Sequence, residues 1–144
     1  MLAVLERSPV VDRARALLGT PFRHGGRTPG VGVDWLGVIL IATENRLPSS
    51  FIYPIDDQKW MMKGEPFIEE LNKLPNFSPI PFTHAGAGDV VCFRMELGSP
   101  VAHAGVLTRP GVFLHAPLAQ SVRETRLDHP WWQRRLAFAY KVIS

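Results

Sequence analysis

The apolar pattern changes its period near Asp89, and this change constrains the fold more than any other feature of the sequence. Before Asp89, apolar residues recur at helical spacing or fill continuous runs, as in residues 36–41, which read LGVILI. After it, short apolar runs alternate with turn signals, a pattern typical of antiparallel strands. The sequence therefore predicts an α+β domain in which N-terminal helices pack on a C-terminal antiparallel β-sheet.

Capping residues indicate where the helices begin and end. Ser8, with proline after it, predicts a first helix that ends at Gly19. Asp34 is the predicted N-cap of a second helix, which runs to about Asn45. Since this second helix is apolar nearly all round, we expect it to lie deep in the core. Residues 20–33 between the two helices are rich in glycine and proline and predict a shaped loop.

Residues 47–88 are irregular and rich in proline, and they contain one plausible short helix from Pro66 to Leu74. Such an excursion over one face of a domain is a usual place for substrate-gating or docking loops. The second half is predicted to hold strands at residues 90–94, 101–108, 112–116, 121–127 and 136–142, with a short helical turn at 130–133.

Length and composition favour one globular domain over residues 1–144, with 46% hydrophobic residues and a mean hydropathy of +0.02. No apolar run approaches the roughly 20 residues that cross a bilayer, so we expect no membrane insertion. Charges interrupt the apolar N-terminus, which predicts no signal peptide. The net charge of +3 is spread along the chain, so a nucleic-acid partner is not expected.

Residues 32–37 read GVDWLG and have the form of an approach to a nucleophile: a tight turn, a polar N-cap and a buried helix. A thiol in the first turn of such a helix lies at the positive end of the helix dipole, which lowers its pKa. Trp35 occupies that place. An indole offers an N–H donor and an apolar ring, but no group that ionises to a nucleophile.

Two histidines lie on neighbouring predicted strands of one hairpin. Such residues can hydrogen-bond, so that His115 orients His103 as a base. With a nucleophile they would supply the three parts of papain-like catalysis, and in this sequence the nucleophile is missing.

In this order the motifs resemble the NlpC-type cell-wall peptidases, which have a papain-like fold, and most closely the branch carried by phage tails and phage-derived gene transfer agents. The resemblance rests on residues 16–24 (ALLGTPFRH), 32–37 except at Trp35, 87–91 (AGDVV), 101–106 (VAHAGV), 113–116 (FLHA) and 130–132 (PWW). It covers nearly the whole chain, and the ordered combination is more specific than any single motif.

The resemblance implies that His103 is the general base, that His115 is the orienting third member, and that Trp35 replaces a nucleophilic cysteine. The substrate cleft would be lined or shaped by Phe22, His24 and Asp34. Phe22 stands where related proteins often carry a tyrosine whose hydroxyl faces the active site. The implied chemistry is hydrolysis of amide bonds in peptidoglycan stem peptides, with no metal or organic cofactor.

Loss of the nucleophile costs about a million-fold in the turnover of a comparable triad enzyme. The resemblance implies a tail component of a phage-like particle, either a gene transfer agent or a prophage, and the missing nucleophile predicts that it is inactive or impaired as a peptidase. We expect it to be assembled in the bacterial cytoplasm, to dock on tail-tip or hub proteins and to bind stem peptides. The alternative prediction is an active cysteine-type cell-wall peptidase that opens the wall for DNA delivery.

Plainer interpretations of the same residues stay open at this stage. Trp35 can be an ordinary core tryptophan or the product of a single-base change from cysteine. Cys92 can be a substitute nucleophile or, as is usual for a free cysteine in a strand, a small buried hydrophobe. A zinc site at His103 and His115 lacks a visible third ligand. The tryptophans at 131–132 can stack on a ligand or anchor the last strand.

Overall fold

The computed structural model describes residues 8–48, 51 and 64–143. In this part of the chain the helices are α1 (Pro9–Arg15), α2 (Trp35–Thr43), α3 (Pro66–Asn72) and α4 (Pro130–Gln133), with a 3₁₀ turn at Phe82–His84. The strands are β1 (Arg27–Thr28), β2 (Gly32–Val33), β3 (Phe77–Ile80), β4 (Val90–Phe93), β5 (His103–Arg109), β6 (Val112–His115), β7 (Arg123–Arg126) and β8 (Leu136–Val142).

The larger sheet has six strands among the described residues, in the order β3-β8-β4-β5-β6-β7, and every neighbouring pair is antiparallel. Helix α2 packs on β5, and α1 packs on both α2 and β5. The predicted α+β architecture, with N-terminal helices on a C-terminal antiparallel sheet, is therefore confirmed.

The two faces of the sheet belong to different apolar clusters. Val106 and Leu114 point to the helices and join the larger cluster, whereas Phe93 and Phe113 point to the opposite face and pack with Trp132 of α4. Successive side chains of a strand point to opposite faces of the sheet. Because consecutive residues of β4, β5 and β6 are buried, these strands are covered on both faces.

Both predicted N-caps are present. The Ser8 hydroxyl accepts a hydrogen bond from the Val11 amide at 3.3 Å, and the Asp34 carboxylate accepts one from the Gly37 amide at 2.9 Å. Helix α2 is buried along almost its whole length, as its apolar sequence predicts. It ends at Thr43 rather than at the predicted Asn45, because the next residue adopts a left-handed conformation.

A close approach of backbone explains the glycine in the first turn of α2. A Cβ built on Gly37 would lie 2.4 Å from the carbonyl oxygen of Gly26 in the preceding loop. No side chain fits there, so a glycine at this position lets the loop press against the start of the helix.

Two predictions about irregular segments were wrong in part. Residues 77–80 were predicted to be irregular but form β3, an edge strand paired with β8. Pro79 argues against a strand in the sequence, yet an edge position tolerates a residue that lacks an N–H. The loop at 20–33 contains the small hairpin of β1 and β2. Residues 49–50 and 52–63 of the predicted excursion lie outside the described residues.

The remaining element bounds differ from the predictions only at their ends. The first helix ends at Arg15 rather than at the predicted Gly19, and the short helix ends at Asn72 rather than Leu74. The strand predicted at 101–108 begins at His103 and ends at Arg109. Across the described ranges, no helix is both long and apolar enough to span a membrane.

Candidate active site

The start of α2 is held in place by the Asp34 carboxylate, which is 2% exposed. One oxygen, Oδ1, accepts the Gly37 amide at 2.9 Å and the guanidinium of Arg27 at 3.0 Å, while Oδ2 accepts the Gly25 amide at 2.7 Å. A buried carboxylate is costly unless it is paired and hydrogen-bonded, and here both oxygens are used. Asp34 therefore fixes the loop and the helix terminus relative to each other.

Trp35 is the first residue of α2, and its indole is 4% exposed. Its ring meets the ring of Phe67 edge-on, with centroids 4.8 Å apart, a favourable arrangement for an aromatic pair. On another side it lies near the His103 imidazole, at a centroid separation of 6.4 Å. The residue at the helix terminus thus adjoins a histidine, but it presents an apolar ring to it.

His103 and His115 share one face of the sheet, as the hairpin pattern predicts. They lie near one end of the β5–β6 pair, and the distance from His103 Nε2 to His115 Nδ1 is 2.7 Å. Gly105 makes room for this arrangement, because a Cβ there would lie 2.6 Å from the ring of Phe113 and 3.3 Å from the Cβ of His115. The predicted hydrogen bond between the two imidazoles is present.

The second nitrogen of His115 has a partner that the sequence did not reveal. His115 Nε2 lies 2.8 Å from the hydroxyl oxygen of Thr125 on β7. The sheet therefore carries a continuous line of hydrogen bonds from His103 through His115 to Thr125.

Trp132 covers the two imidazoles. Its indole stacks on His103 with an interplanar angle of 29° and a centroid separation of 5.7 Å. It meets His115 edge-on at 5.1 Å and 90°. Because Phe93 and Phe113 pack around the same rings, water has little access to the pair, and the two histidines are 5% and 1% exposed.

Burial controls the charge of His115. Loss of solvent, with a smaller contribution from the positive charge of Arg123, lowers the pKa of His115 to about 3. At neutral pH this imidazole is uncharged, so one of its nitrogens donates a hydrogen bond and the other accepts one. His103 uses Nε2 toward His115, which makes Nδ1 the nitrogen that points away from the pair. Chemically, this is an oriented imidazole beside a helix terminus that lacks a thiol.

These side chains border an open cleft with a volume of about 520 Å³. The predicted cleft residues Phe22, His24 and Asp34 all lie in its wall, and His24 is also exposed as a loop residue. The other lining residues are mainly apolar or uncharged: Trp35, Met95, Glu96, Ser99, Pro100, Ala102, His103, Ala116, Pro117, Leu118, Gln120, Trp131 and Trp132. The indole of Trp35 thus forms part of the cleft wall.

Cys92 lies on the face of the sheet opposite the imidazole pair, so its thiol does not face His103. It pairs with Ala104 on β5, while its neighbour Phe93 pairs with His103. Since side chains alternate between faces, Cys92 points toward the helices and away from the imidazole pair. It is fully buried, and burial raises the pKa of its thiol far above the ordinary value. The interpretation of Cys92 as a small buried hydrophobe is the one that fits.

Within the described ranges, no group of three or more histidine, cysteine, aspartate or glutamate side chains is arranged to hold a metal ion. The zinc interpretation of the two histidines thus finds no third ligand there.

The two neighbouring tryptophans have different environments. Trp132 packs in the cluster of Phe93 and Phe113 that supports the last strand, which agrees with an anchoring use. Trp131 is 38% exposed, lies in the wall of the cleft, and carries the guanidinium of Arg135 over its ring at 3.6 Å.

The fold and the site together define the class: a papain-like domain with its helix terminus set against a histidine on an antiparallel sheet. The sequence profile of the NlpC/P60 family matches residues 19–141, and the chain belongs to this family. The sequence resemblance to NlpC-type peptidases is thereby confirmed at the level of the family.

Individual relatives agree. The chain is 26% identical over 132 residues to the murein DD-endopeptidase MepH of Escherichia coli (strain K12), covering 88% of this chain and 42% of that protein. It is 27% identical over 128 residues to the gamma-DL-glutamyl hydrolase of Bacillus subtilis (strain 168), covering 89% and 27%. The chain thus spans less than half the length of either relative.

Solved structures show the same fold. The NlpC/p60 domain of the peptidoglycan hydrolase SagA superposes with a TM-score of 0.59 at 24% identity, covering 94% of this chain and 97% of that one. An NlpC/P60 family protein from Bacillus cereus ATCC 10987 superposes with a TM-score of 0.66 at 19% identity, covering 94% and 40%.

Proposed function

We propose that this NlpC/P60 domain has lost peptide hydrolysis and serves as a peptidoglycan-binding component of the tail of a phage-like particle. The observation that carries the proposal is Trp35. It is the first residue of a buried helix beside His103, where a papain-like site needs a thiol, and it places an indole there. An indole has no ionisable nucleophilic group.

In this proposal the loss of hydrolysis follows from Trp35, because other parts of the site are in place. The imidazole pair is hydrogen-bonded, and the carboxylate of Asp34 still shapes the turn before the helix. No other thiol is in reach, since Cys92 points to the opposite face of the sheet. In this proposal His103 and His115 are the former base and its orienting partner, and Trp35 stands at the former nucleophile position.

Binding is supported by the open cleft. The indole lies in the cleft wall, and a cleft of about 520 Å³ has the size of a small-molecule or short-peptide site. Both MepH and the SagA domain carry names that refer to the bacterial cell wall, a murein endopeptidase and a peptidoglycan hydrolase. Stem peptides of peptidoglycan are therefore the ligand that we propose, with Phe22 and His24 among the residues that contact them.

The particle assignment rests on the ordered motifs of the sequence, from the loop at 16–24 to the PWW segment at 130–132. In this proposal the chain is assembled in the bacterial cytoplasm and docks on tail-tip or hub proteins. Mass spectrometry of purified phage-like particles should detect the chain together with other tail proteins. Its absence from such particles would contradict the tail assignment and leave the proposed loss of hydrolysis standing.

The test of hydrolysis compares the protein with its Trp35→Cys variant on purified peptidoglycan fragments, with new amine groups followed by mass spectrometry. We expect cutting by the variant alone. Trp35→Ala is the matched control, because it removes the indole without supplying a thiol. A Trp35→Cys/Cys92→Ser variant should cut as Trp35→Cys does, which would assign the activity to the thiol at position 35.

Co-sedimentation with insoluble peptidoglycan tests binding separately. We expect the unaltered protein to sediment with the wall material, and failure to do so would contradict the binding role. Cutting by the unaltered protein would instead establish the alternative function, an active cell-wall peptidase. The intact hydrogen bond between His103 and His115 is the observation that favours this alternative.

A further inference from the structure

We propose that Thr125 is a positioning residue for the imidazole pair, and that its hydroxyl holds the ring of His115 and, through it, the ring of His103. No other feature of the site depends on this inference. It concerns the chain as it stands, with Trp35 in place, so it does not rest on the proposed loss of hydrolysis.

The first argument is register. On the β6–β7 pair, Phe113 lies opposite Thr125 and His115 lies opposite Arg123. Thr125 is therefore the diagonal neighbour of His115 on the same face of the sheet, a distance that a short polar side chain and an imidazole can bridge. Thr125 is half-buried, and its oxygen lies 2.8 Å from His115 Nε2.

The second argument is the number of hydrogen bonds that a neutral imidazole makes. His115 is 1% exposed, so each of its ring nitrogens has to find a partner inside the protein. Nδ1 is bonded to His103, and Thr125 is the partner of Nε2. Without the hydroxyl, Nε2 would be buried without a partner, and nothing polar would fix the rotation of the ring.

The third argument is the chemistry of the partner. A neutral imidazole that accepts at Nδ1 donates at Nε2, and one that donates at Nδ1 accepts at Nε2. A hydroxyl both donates and accepts, so Thr125 satisfies His115 in either tautomer. A backbone carbonyl or amide at the same place would fit one tautomer alone. Thr125 thus supports His103 whether Nε2 of that residue donates or accepts.

The test is long-range ¹H–¹⁵N correlation NMR of the imidazoles in the full chain, at neutral pH, for Thr125→Val and Thr125→Ser. Valine has nearly the shape of threonine without the hydroxyl, whereas serine keeps it. We expect Thr125→Val to shift the ring nitrogen signals of both His115 and His103, or to broaden them beyond detection. Thr125→Ser should retain the wild-type pattern.

Two controls separate positioning from general destabilisation. Backbone amide spectra show whether Thr125→Val is folded. Thr43→Val removes a buried hydroxyl that bonds the Ile39 carbonyl at 2.7 Å, far from the imidazoles along the chain, and should leave their signals unchanged. If Thr125→Val is folded and its imidazole signals match the wild type, or if Thr125→Ser alters them as valine does, the inference is wrong.

Discussion

The two sides of the cleft, one formed by the sheet and one by the start of α2, differ in the chemical groups that they present. The sheet side holds a line of polar groups, His103 bonded to His115 and His115 bonded to Thr125. The helix side keeps the supporting turn at Asp34 but presents the apolar ring of Trp35. The comparison teaches that the parts that position a reactive group and the group itself are separable. Here the imidazole pair and the capped turn are in place, while the residue at the helix terminus carries no ionisable nucleophile.

The largest expected effect concerns the reactivity of a thiol placed on the helix side of the cleft, compared with that of the buried thiol of Cys92 on β4. A cysteine introduced by Trp35→Cys would lie at the N-terminus of α2 beside His103, a setting that favours thiolate, whereas Cys92 is fully buried. We expect iodoacetamide to label position 35 at least about a hundred times faster than Cys92 at pH 7. Peptide mass spectrometry after timed labelling measures both rates in one sample.

Unfolding in urea provides the control for this prediction, since Cys92 should label readily once the chain is unfolded. Similar labelling rates at the two positions in the folded protein would mean that the helix terminus no longer activates a thiol.

The second prediction concerns the contribution of the Trp35 indole to the stability of the fold. Trp35 is buried and packs on Phe67, so Trp35→Ala should lower the free energy of unfolding by about 3–5 kcal/mol. Urea denaturation followed by circular dichroism measures the change. Trp131→Ala is the matched control, because that indole is 38% exposed and should contribute much less. Equal losses would show that Trp35 is not part of the core.

The third prediction concerns His115, on the sheet side of the cleft, and the pH dependence of the stability that it contributes. Because the pKa of His115 is about 3 in the folded chain and its ordinary value is 6.5, the unfolded state binds the extra proton between these values. Stability contributed by neutral His115 is complete above pH 6.5 and falls as the pH drops toward 3. His115→Gln, which does not titrate, should remove a slope of about 1.4 kcal/mol per pH unit in this range.

Urea denaturation of both proteins at several pH values from 7.5 down to about 5 measures that slope. Groups that do not contact His115 cancel in the comparison. Parallel curves for the two proteins would show that His115 titrates in the folded chain as it does in the unfolded one.

Much of this fold could be predicted from local sequence, because caps and apolar periods are short-range signals. Ser8 and Asp34 locate the helix starts, and alternation after Asp89 locates the strands. β3 was missed because Pro79 opposes a strand by itself, and only its place at the sheet edge makes the strand possible.

The residues of the site also fall into two groups, those that could be predicted from the sequence and those that could not. His103 and His115 could be paired from the sequence because one hairpin joins their strands. Thr125 and Arg27 could not, since their partners depend on strand register and loop path. A threonine in the polar strand β7 gives no signal of its own; only the alternation of faces, applied to a known register, leads to it.

The smallest expected effect concerns the Asp34 carboxylate, which supports the turn before α2 on the helix side of the cleft. Asp34→Asn keeps the size of the side chain and one acceptor oxygen, but it removes the charge that faces Arg27 and leaves fewer acceptors for three donors. We expect a loss of about 1 kcal/mol in the free energy of unfolding, the usual cost of weakening an N-cap. Asp128→Asn is the matched control, because the Arg126–Asp128 pair is exposed and should not affect stability measurably. If the two variants are equally stable, the carboxylate of Asp34 does not stabilise the turn before α2, and its hydrogen bonds to the Gly25 and Gly37 amides contribute little to the fold.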